Sequence, residues 1–88
     1  MASVSEWSVY IIEACDGSLY TGITTDVERR FAEHTSPAKG ARFFRGRKPK
    51  RVVYTENQPD RSNALRREAE IKGLTRELKL DLIKRRGR

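Results

Sequence analysis

The chain has 88 residues, enough for one small domain with a core near the lower limit of what folds without cross-links. Nineteen lysines and arginines against twelve acidic residues leave a net charge of +7, which points to a polyanionic partner. A lone cysteine, Cys15, excludes an internal disulfide, and no apolar run approaches the roughly 20 residues of a membrane span.

The opening, Met1 to Trp7, is polar and carries Glu6 where a secretory leader needs apolar residues, so the expectation is a reduced, cytoplasmic protein with no membrane association. Glu6 to Glu13 reads as a strand, with Val9 and Ile11 on one face and Tyr10 and Ile12 on the other. Ala14-Cys15-Asp16-Gly17-Ser18 carries an Asp-Gly turn signal, and Leu19 to Ile23 returns as a second strand. Thr25 with Glu28 three residues on forms a capping box that starts a helix running to His34, ended by Ser36-Pro37. After a basic loop, Arg51 to Thr55 has the β-branched and aromatic content of a third strand. Ser62 caps a helix from Asn63 to Lys72, Gly73 stops it, and Thr75 caps a last helix to about Lys84. The expected architecture is α+β, a small three-stranded mixed or antiparallel sheet flanked by helices in the order β-β-α-β-α-α. One domain spans 1–88, its core about 7–83 and its basic tail 84–88, where Lys84, Arg85, Arg86 and Arg88 cluster.

The hairpin register decides whether two tyrosines can act together. A two-residue Asp16-Gly17 turn makes paired residue numbers sum to 33 and sends Tyr10 and Tyr20 to opposite faces. A three-residue loop, Cys15-Asp16-Gly17 with Gly17 left-handed, makes the sum 32: Tyr10 opposes Gly22, Ile12 opposes Tyr20, and both phenols share a face. The small Gly22 then leaves room for a substrate phosphate. The plainer alternative is a pair of half-buried strand tyrosines.

On the first helix Val27 and Phe31 should face the core, while Arg30 and His34, also four apart, share the adjacent stripe. A guanidinium there can grip phosphate oxygens and an imidazole can move a proton; Arg29 lies on another face. On the next helix Leu65, Glu68 and Ile71 recur at three-residue spacing, so Glu68 falls on an inward stripe, where a carboxylate needs a cation or hydrogen bonds. A buried pair with Arg30 or Arg67 is the structural alternative. Glu70, four residues after Arg66, reads as a solvent-facing partner of that arginine.

Ser8-Val9-Tyr10, Tyr20-Thr21-Gly22, Arg30, His34 and the Ala64-Leu65-Arg66-Arg67-Glu68 stretch, in this order, resemble the GIY-YIG nuclease superfamily from about Trp7 to Ile83, and most of all its short, stand-alone bacterial members. The resemblance implies a metal-dependent nuclease in which water attacks a phosphodiester in line and leaves a 5′ phosphate. It makes Tyr10 the general base, has Tyr20 and His34 orient or assist the water, gives Arg30 the phosphate and gives Glu68 the metal. One carboxylate suits Mg²⁺ or Mn²⁺ keeping several waters. A phenol with an ordinary pKa near 10 must be shifted to accept a proton at neutral pH; otherwise His34 is the better base. Ser8 stands for the motif's first glycine, Thr21 for the isoleucine of its second half, and no asparagine follows Glu68 in Glu77-Leu78-Lys79-Leu80.

Between Ala38 and Arg51 lie seven cations, Lys39, Arg42, Arg45, Arg47, Lys48, Lys50 and Arg51, and no acidic residue. Such a run neutralises phosphates independently of base sequence, and Phe43 and Phe44 with Gly40 and Gly46 would allow stacking. Arg45-Gly46-Arg47-Lys48-Pro49 also resembles a basic element in several branches of the superfamily. Nucleic acid is the expected partner, DNA ahead of RNA and structure ahead of sequence. The alternatives are a non-catalytic binding module and a basic regulator of a nucleic-acid-processing complex, with a protein partner or a homo-oligomer to supply selectivity.

Overall fold

The computed structural model describes residues 6–36 and 38–86. Pro37, expected to end the first helix, and Arg88 of the basic tail lie outside the described residues. The elements are β1 (Trp7–Ala14), β2 (Leu19–Thr24), α1 (Val27–His34), a 3₁₀ turn at Arg42–Phe44, β3 (Pro49–Gln58), α2 (Arg61–Lys72) and α3 (Arg76–Arg86). The order is the expected β-β-α-β-α-α, and the sheet is antiparallel throughout, with strand order β2-β1-β3.

The hairpin takes the three-residue solution. Tyr10 pairs with Gly22 and Ile12 with Tyr20. The Ala14 N–H donates to Ser18 O at 2.8 Å, the Gly17 N–H to Ala14 O at 2.9 Å, and Gly17 has φ +89°. That left-handed residue suits glycine because it has no Cβ to clash. Even-numbered residues of both strands therefore share a face.

As the central strand, β1 is covered on both sides, and Val9, Tyr10, Ile11 and Ile12 are each at most 1% exposed. Val9 and Ile11 pack with Tyr54, Ala64 and Ile71 beneath α2 and α3. Tyr10, Ile12 and Ala14 pack with Phe44, Val27 and Phe31 beneath α1 and the 3₁₀ turn. Burying each aliphatic side chain of β1 contributes about 1.5–3 kcal/mol. Among the described residues no helix is long and apolar enough to cross a membrane.

Both early helix starts differ from the expected ones. Asp26, not Thr25, caps α1, its carboxylate accepting from the Arg29 N–H at 3.0 Å, and Asp60, not Ser62, caps α2 by accepting from the Asn63 N–H at 2.8 Å. Aspartate caps as well as serine and better than threonine, and in α1 the Thr24 hydroxyl takes the Asp26 N–H at 3.1 Å, holding Asp26 extended for the role. Thr75 caps α3 as expected, 3.2 Å from the Leu78 N–H. At ten residues, β3 is twice the expected length. Its second half, Glu56-Asn57-Gln58, is polar yet continues the ladder to Trp7. On α2 the inward stripe is Ala64, Glu68 and Ile71, spaced four then three; Leu65 is 39% exposed and does not belong to it.

Candidate active site

Tyr10 stands on the central strand with its ring laid across Gly22 of the edge strand β2. A Cβ at Gly22 would sit 2.6 Å from Tyr10 Oη and 2.7 Å from Cζ, so any side chain there displaces the phenol. The space expected to receive a substrate phosphate is thus filled by Tyr10 itself. The glycine brings the phenol to the sheet edge.

His34, the last residue of α1, is 2% exposed, and its Nε2 lies 2.9 Å from Tyr10 Oη. Its other nitrogen settles the proton position. The Ala41 N–H donates to Nδ1 at 3.1 Å, so Nδ1 is bare and the neutral ring carries its proton on Nε2. Nε2–H therefore donates to the Tyr10 oxygen. This contact requires the loop to approach the helix end closely: a Cβ at Gly40 would lie 2.9 Å from His34 Cα and 3.1 Å from His34 O. Phe44 packs on the imidazole at 4.6 Å between ring centroids and Tyr20 at 5.3 Å, which seals the pair from solvent.

Arg30 lies one turn before His34, and its guanidinium donates to Glu33 Oε1 at 2.7 Å and to Lys39 O at 3.1 Å. Its charge is felt at both Tyr10 and His34. Arg29, on the outer face, is 61% exposed and reaches Glu33 only at 3.8 Å. Burial drives the Tyr10 pKa up, the Tyr20 phenol adds to the rise, and Arg30 opposes it without prevailing. Burial, then Arg30, pushes His34 down to about 4. At neutral pH the pair is a phenol and a neutral imidazole.

Glu68 stands on α2, the helix packed on the opposite face of the sheet, and its charge is the smallest of the causes that raise the Tyr10 pKa. Its side chain is 17% exposed, and its ion-pair partner is Lys72 at 3.4 Å, not Arg30 or Arg67. Arg67 is engaged by Glu56 at 2.9 Å and by Glu70 at 3.1 Å, so Glu70 pairs with Arg67 rather than with Arg66. Among the described residues no three carboxylate, thiol or imidazole groups converge as a preformed metal cage. One half-buried carboxylate oxygen donor fits a hard divalent ion that draws its other ligands from water and phosphate.

The seven cations of the loop divide into two groups. Arg47 donates to Asp16 Oδ2 at 3.1 Å and to Phe43 O at 3.2 Å and lies 4.4 Å over the Phe43 ring, while Arg51 donates to Glu13 at 3.0 Å. Lys39, Arg42, Arg45, Lys48 and Lys50 are exposed and carry no ion pair among the described residues. Phe43 and Phe44 pack on each other at 5.0 Å and on Tyr20 at 5.2 Å each, so they form the wall around His34 instead of free stacking platforms. Lys84 and Arg85 are exposed at the end of α3.

Glu33, Lys72 and the Ala41 N–H were not anticipated. The first two follow Arg30 and Glu68 at helical spacings of three and four, a readable signal. A backbone N–H in a loop carries none.

The sequence profile of the GIY-YIG catalytic domain matches residues 6–81. A UPF0213 protein of Desulfotalea psychrophila is 53% identical over 78 residues, covering 89% of this chain and 71% of that protein. One of Haloquadratum walsbyi is 55% identical over 74 residues, covering 84% and 82%. The solution NMR structure of a UPF0213 protein from Bacillus halodurans is 48% identical, with a TM-score of 0.60 over 93% of this chain and 86% of that one.

Proposed function

The chain belongs to the GIY-YIG catalytic-domain family, and on that premise we propose that it is a metal-dependent endonuclease that hydrolyses phosphodiester bonds in DNA, with RNA as the second substrate class, selecting by structure more than by base sequence. The observation that carries the reading is the buried Tyr10 Oη–His34 Nε2 pair at 2.9 Å, flanked by Arg30 and reached by the charge of Glu68.

In this reading the water oxygen bonds to phosphorus in line, its proton passes to Tyr10 Oη, and the 3′ oxygen leaves with a proton from solvent, giving a 5′ phosphate. Tyr10 must first release its own proton to solvent water. His34 supports the resulting phenolate as a donor through Nε2–H, and Arg30 holds the phosphate while adding positive charge beside the phenol. His34 is the poorer base: Nδ1 already accepts from Ala41 and the ring protonates only near pH 4. Glu68 is the residue that would hold a magnesium or manganese ion, which would supply positive charge for the leaving 3′ oxygen. Lys39, Arg42, Arg45, Lys48 and Lys50 grip flanking phosphates.

One observation favours a second reading. Tyr10 is 1% exposed with a raised pKa, as suits a non-catalytic nucleic-acid-binding module that keeps the fold. Labelled branched, single-stranded and linear substrates, incubated with and without Mg²⁺, separate the two. The nuclease reading expects Mg²⁺-dependent cleavage that Tyr10→Phe abolishes. Binding without cleavage on every substrate leaves the module.

A further inference from the structure

His34 also borders a cavity of about 590 Å³, lined with it by Phe44, Pro49, Arg45, Arg47 and Lys48. That volume lies within the roughly 300–1,000 Å³ of small-molecule sites. Its lining combines two chemistries. Pro49 and the small exposed edges of the buried Phe44 and His34 make an apolar wall, whereas Arg45 and Lys48 bring exposed guanidinium and ammonium groups without ion pairs among the described residues. Arg47 is held by Asp16 and Phe43, so it shapes the wall. No carboxylate lines the cavity. Gly46 turns the loop at φ +80°, and a Cβ there would meet nothing within 4 Å.

We propose that this cavity is a subsite for one unstacked nucleotide, its base against Pro49 and the small exposed edge of Phe44 and its phosphate between Arg45 and Lys48. An inorganic anion would leave the apolar wall uncovered, and an apolar ligand would leave two cations without partners. A nucleoside phosphate satisfies both. Since His34 borders this cavity and also touches Tyr10, a nucleotide seated here is adjacent to the reacting phosphate. Resting on the nuclease reading, the inference narrows its substrate to strands with an unpaired nucleotide at the cut: a bulge, a flap or a frayed end. A base held in a duplex cannot enter without paying unstacking.

The test uses the full chain in EDTA, so that binding is read without cleavage. Two duplexes differ in one 2-aminopurine nucleotide, bulged in the first and paired in the second. The bulged duplex is expected to bind about ten-fold tighter, through burial of one base in the cavity and contact of its phosphate with two cations, and its fluorescence to change on binding. Thr35 lines the cavity and is exposed at the end of α1, so Thr35→Trp fills the space from outside the core. It should remove the preference and the fluorescence change while leaving paired-duplex binding intact. Lys48→Glu, at another exposed position, should lower the preference in the same direction and decides the matter if the first variant misfolds.

Adenosine monophosphate that competes for the bulged preference would extend the subsite to free nucleotides. A preference that persists in its presence assigns the subsite to a nucleotide of the strand. Equal binding of the two duplexes, or a preference that survives both substitutions, overturns the subsite and leaves the nuclease reading standing. Failure of both duplexes to bind removes nucleic acid as the partner, and that reading with it.

Discussion

Glu56 of β3 and Glu68 of α2 are half-buried carboxylates on the same side of the sheet, 11% and 17% exposed, with unlike neighbours. Glu56 is filled: it accepts from Tyr54 Oη, from Gln58 Nε2 at 2.6 Å and from Arg67 Nε at 2.9 Å. Burial pushes its carboxyl up, but the hydrogen bonds from Tyr54, Arg67 and Gln58 outweigh burial and hold it below the usual range. Glu68 has Lys72 at 3.4 Å, a side chain itself 55% exposed. A carboxylate held by three donors serves the fold, whereas one whose ion-pair partner is a single exposed lysine keeps acceptor capacity for a ligand.

The contrast predicts opposite outcomes for one substitution at two places. Glu68→Ala should lower Mg²⁺-dependent turnover by at least about 10²-fold with the unfolding midpoint nearly unchanged, since a metal supplies several kcal/mol to the transition state. Glu56→Ala should leave Arg67 without its inner partner and cost about 1–3 kcal/mol of stability, read by urea unfolding. Turnover per folded molecule should then stay near the parent value. A Glu68→Ala protein that cleaves like the parent excludes the metal role. A Glu56→Ala protein as stable as the parent breaks the comparison.

Burial also fixes the sign of a pH effect. His34 protonates at about 6.5 unfolded but near 4 folded, so the unfolded chain binds more protons between these values and stability falls as pH drops through that window. The full loss is roughly 3 kcal/mol. His34→Gln should flatten the pH dependence between pH 7 and 4. A parent protein equally stable at both ends would mean that His34 is open to solvent.

Much of this was readable from residue order because parity is a strong constraint. Once Gly17 closes a three-residue loop, Tyr10 and Tyr20 must share a face. Arg30 and His34 follow from helical spacing in the same way. Interactions made by the backbone or by competing polar groups were not readable. Asp26 and Asp60 displaced neighbouring caps of similar propensity, the polar end of β3 reads as loop until its pairing with Trp7 is known, and the Ala41 N–H that fixes the His34 tautomer leaves no trace in side-chain pattern.

The distinction between filled and unfilled groups extends to the basic loop. Arg45→Ala and Lys48→Ala should each weaken duplex binding and reduce the slope of log K against log salt by about one. Arg51→Ala should change it less, because that guanidinium already donates to Glu13. Anisotropy titrations at several salt concentrations measure all three. Equal slopes for the three variants would show that pairing within the fold does not decide which cations meet phosphate.

The smallest effect lies at a guanidinium that serves two carboxylates of unlike burial. Arg67 donates Nε to Glu56 and Nη1 to Glu70, at 2.9 Å and 3.1 Å, and the two acceptors are 11% and 61% exposed. Their distances are nearly equal, so a difference between them measures burial together with the two further hydrogen bonds that Glu56 accepts from Tyr54 and Gln58. Water screens the outer pair and rehydrates either partner when the other is removed, so Glu70→Ala should cost about 0.2–1 kcal/mol and leave turnover unchanged. The inner pair has less of this relief, because Glu56 is 11% exposed. Urea unfolding of the two single variants and the double variant closes a cycle on Arg67, in which the Glu56 change should exceed the Glu70 change about three-fold or more. If Glu70→Ala costs as much as Glu56→Ala, or lowers the cleavage rate, then the exposed carboxylate belongs to the same cooperative network and the separation of fold from site on α2 fails.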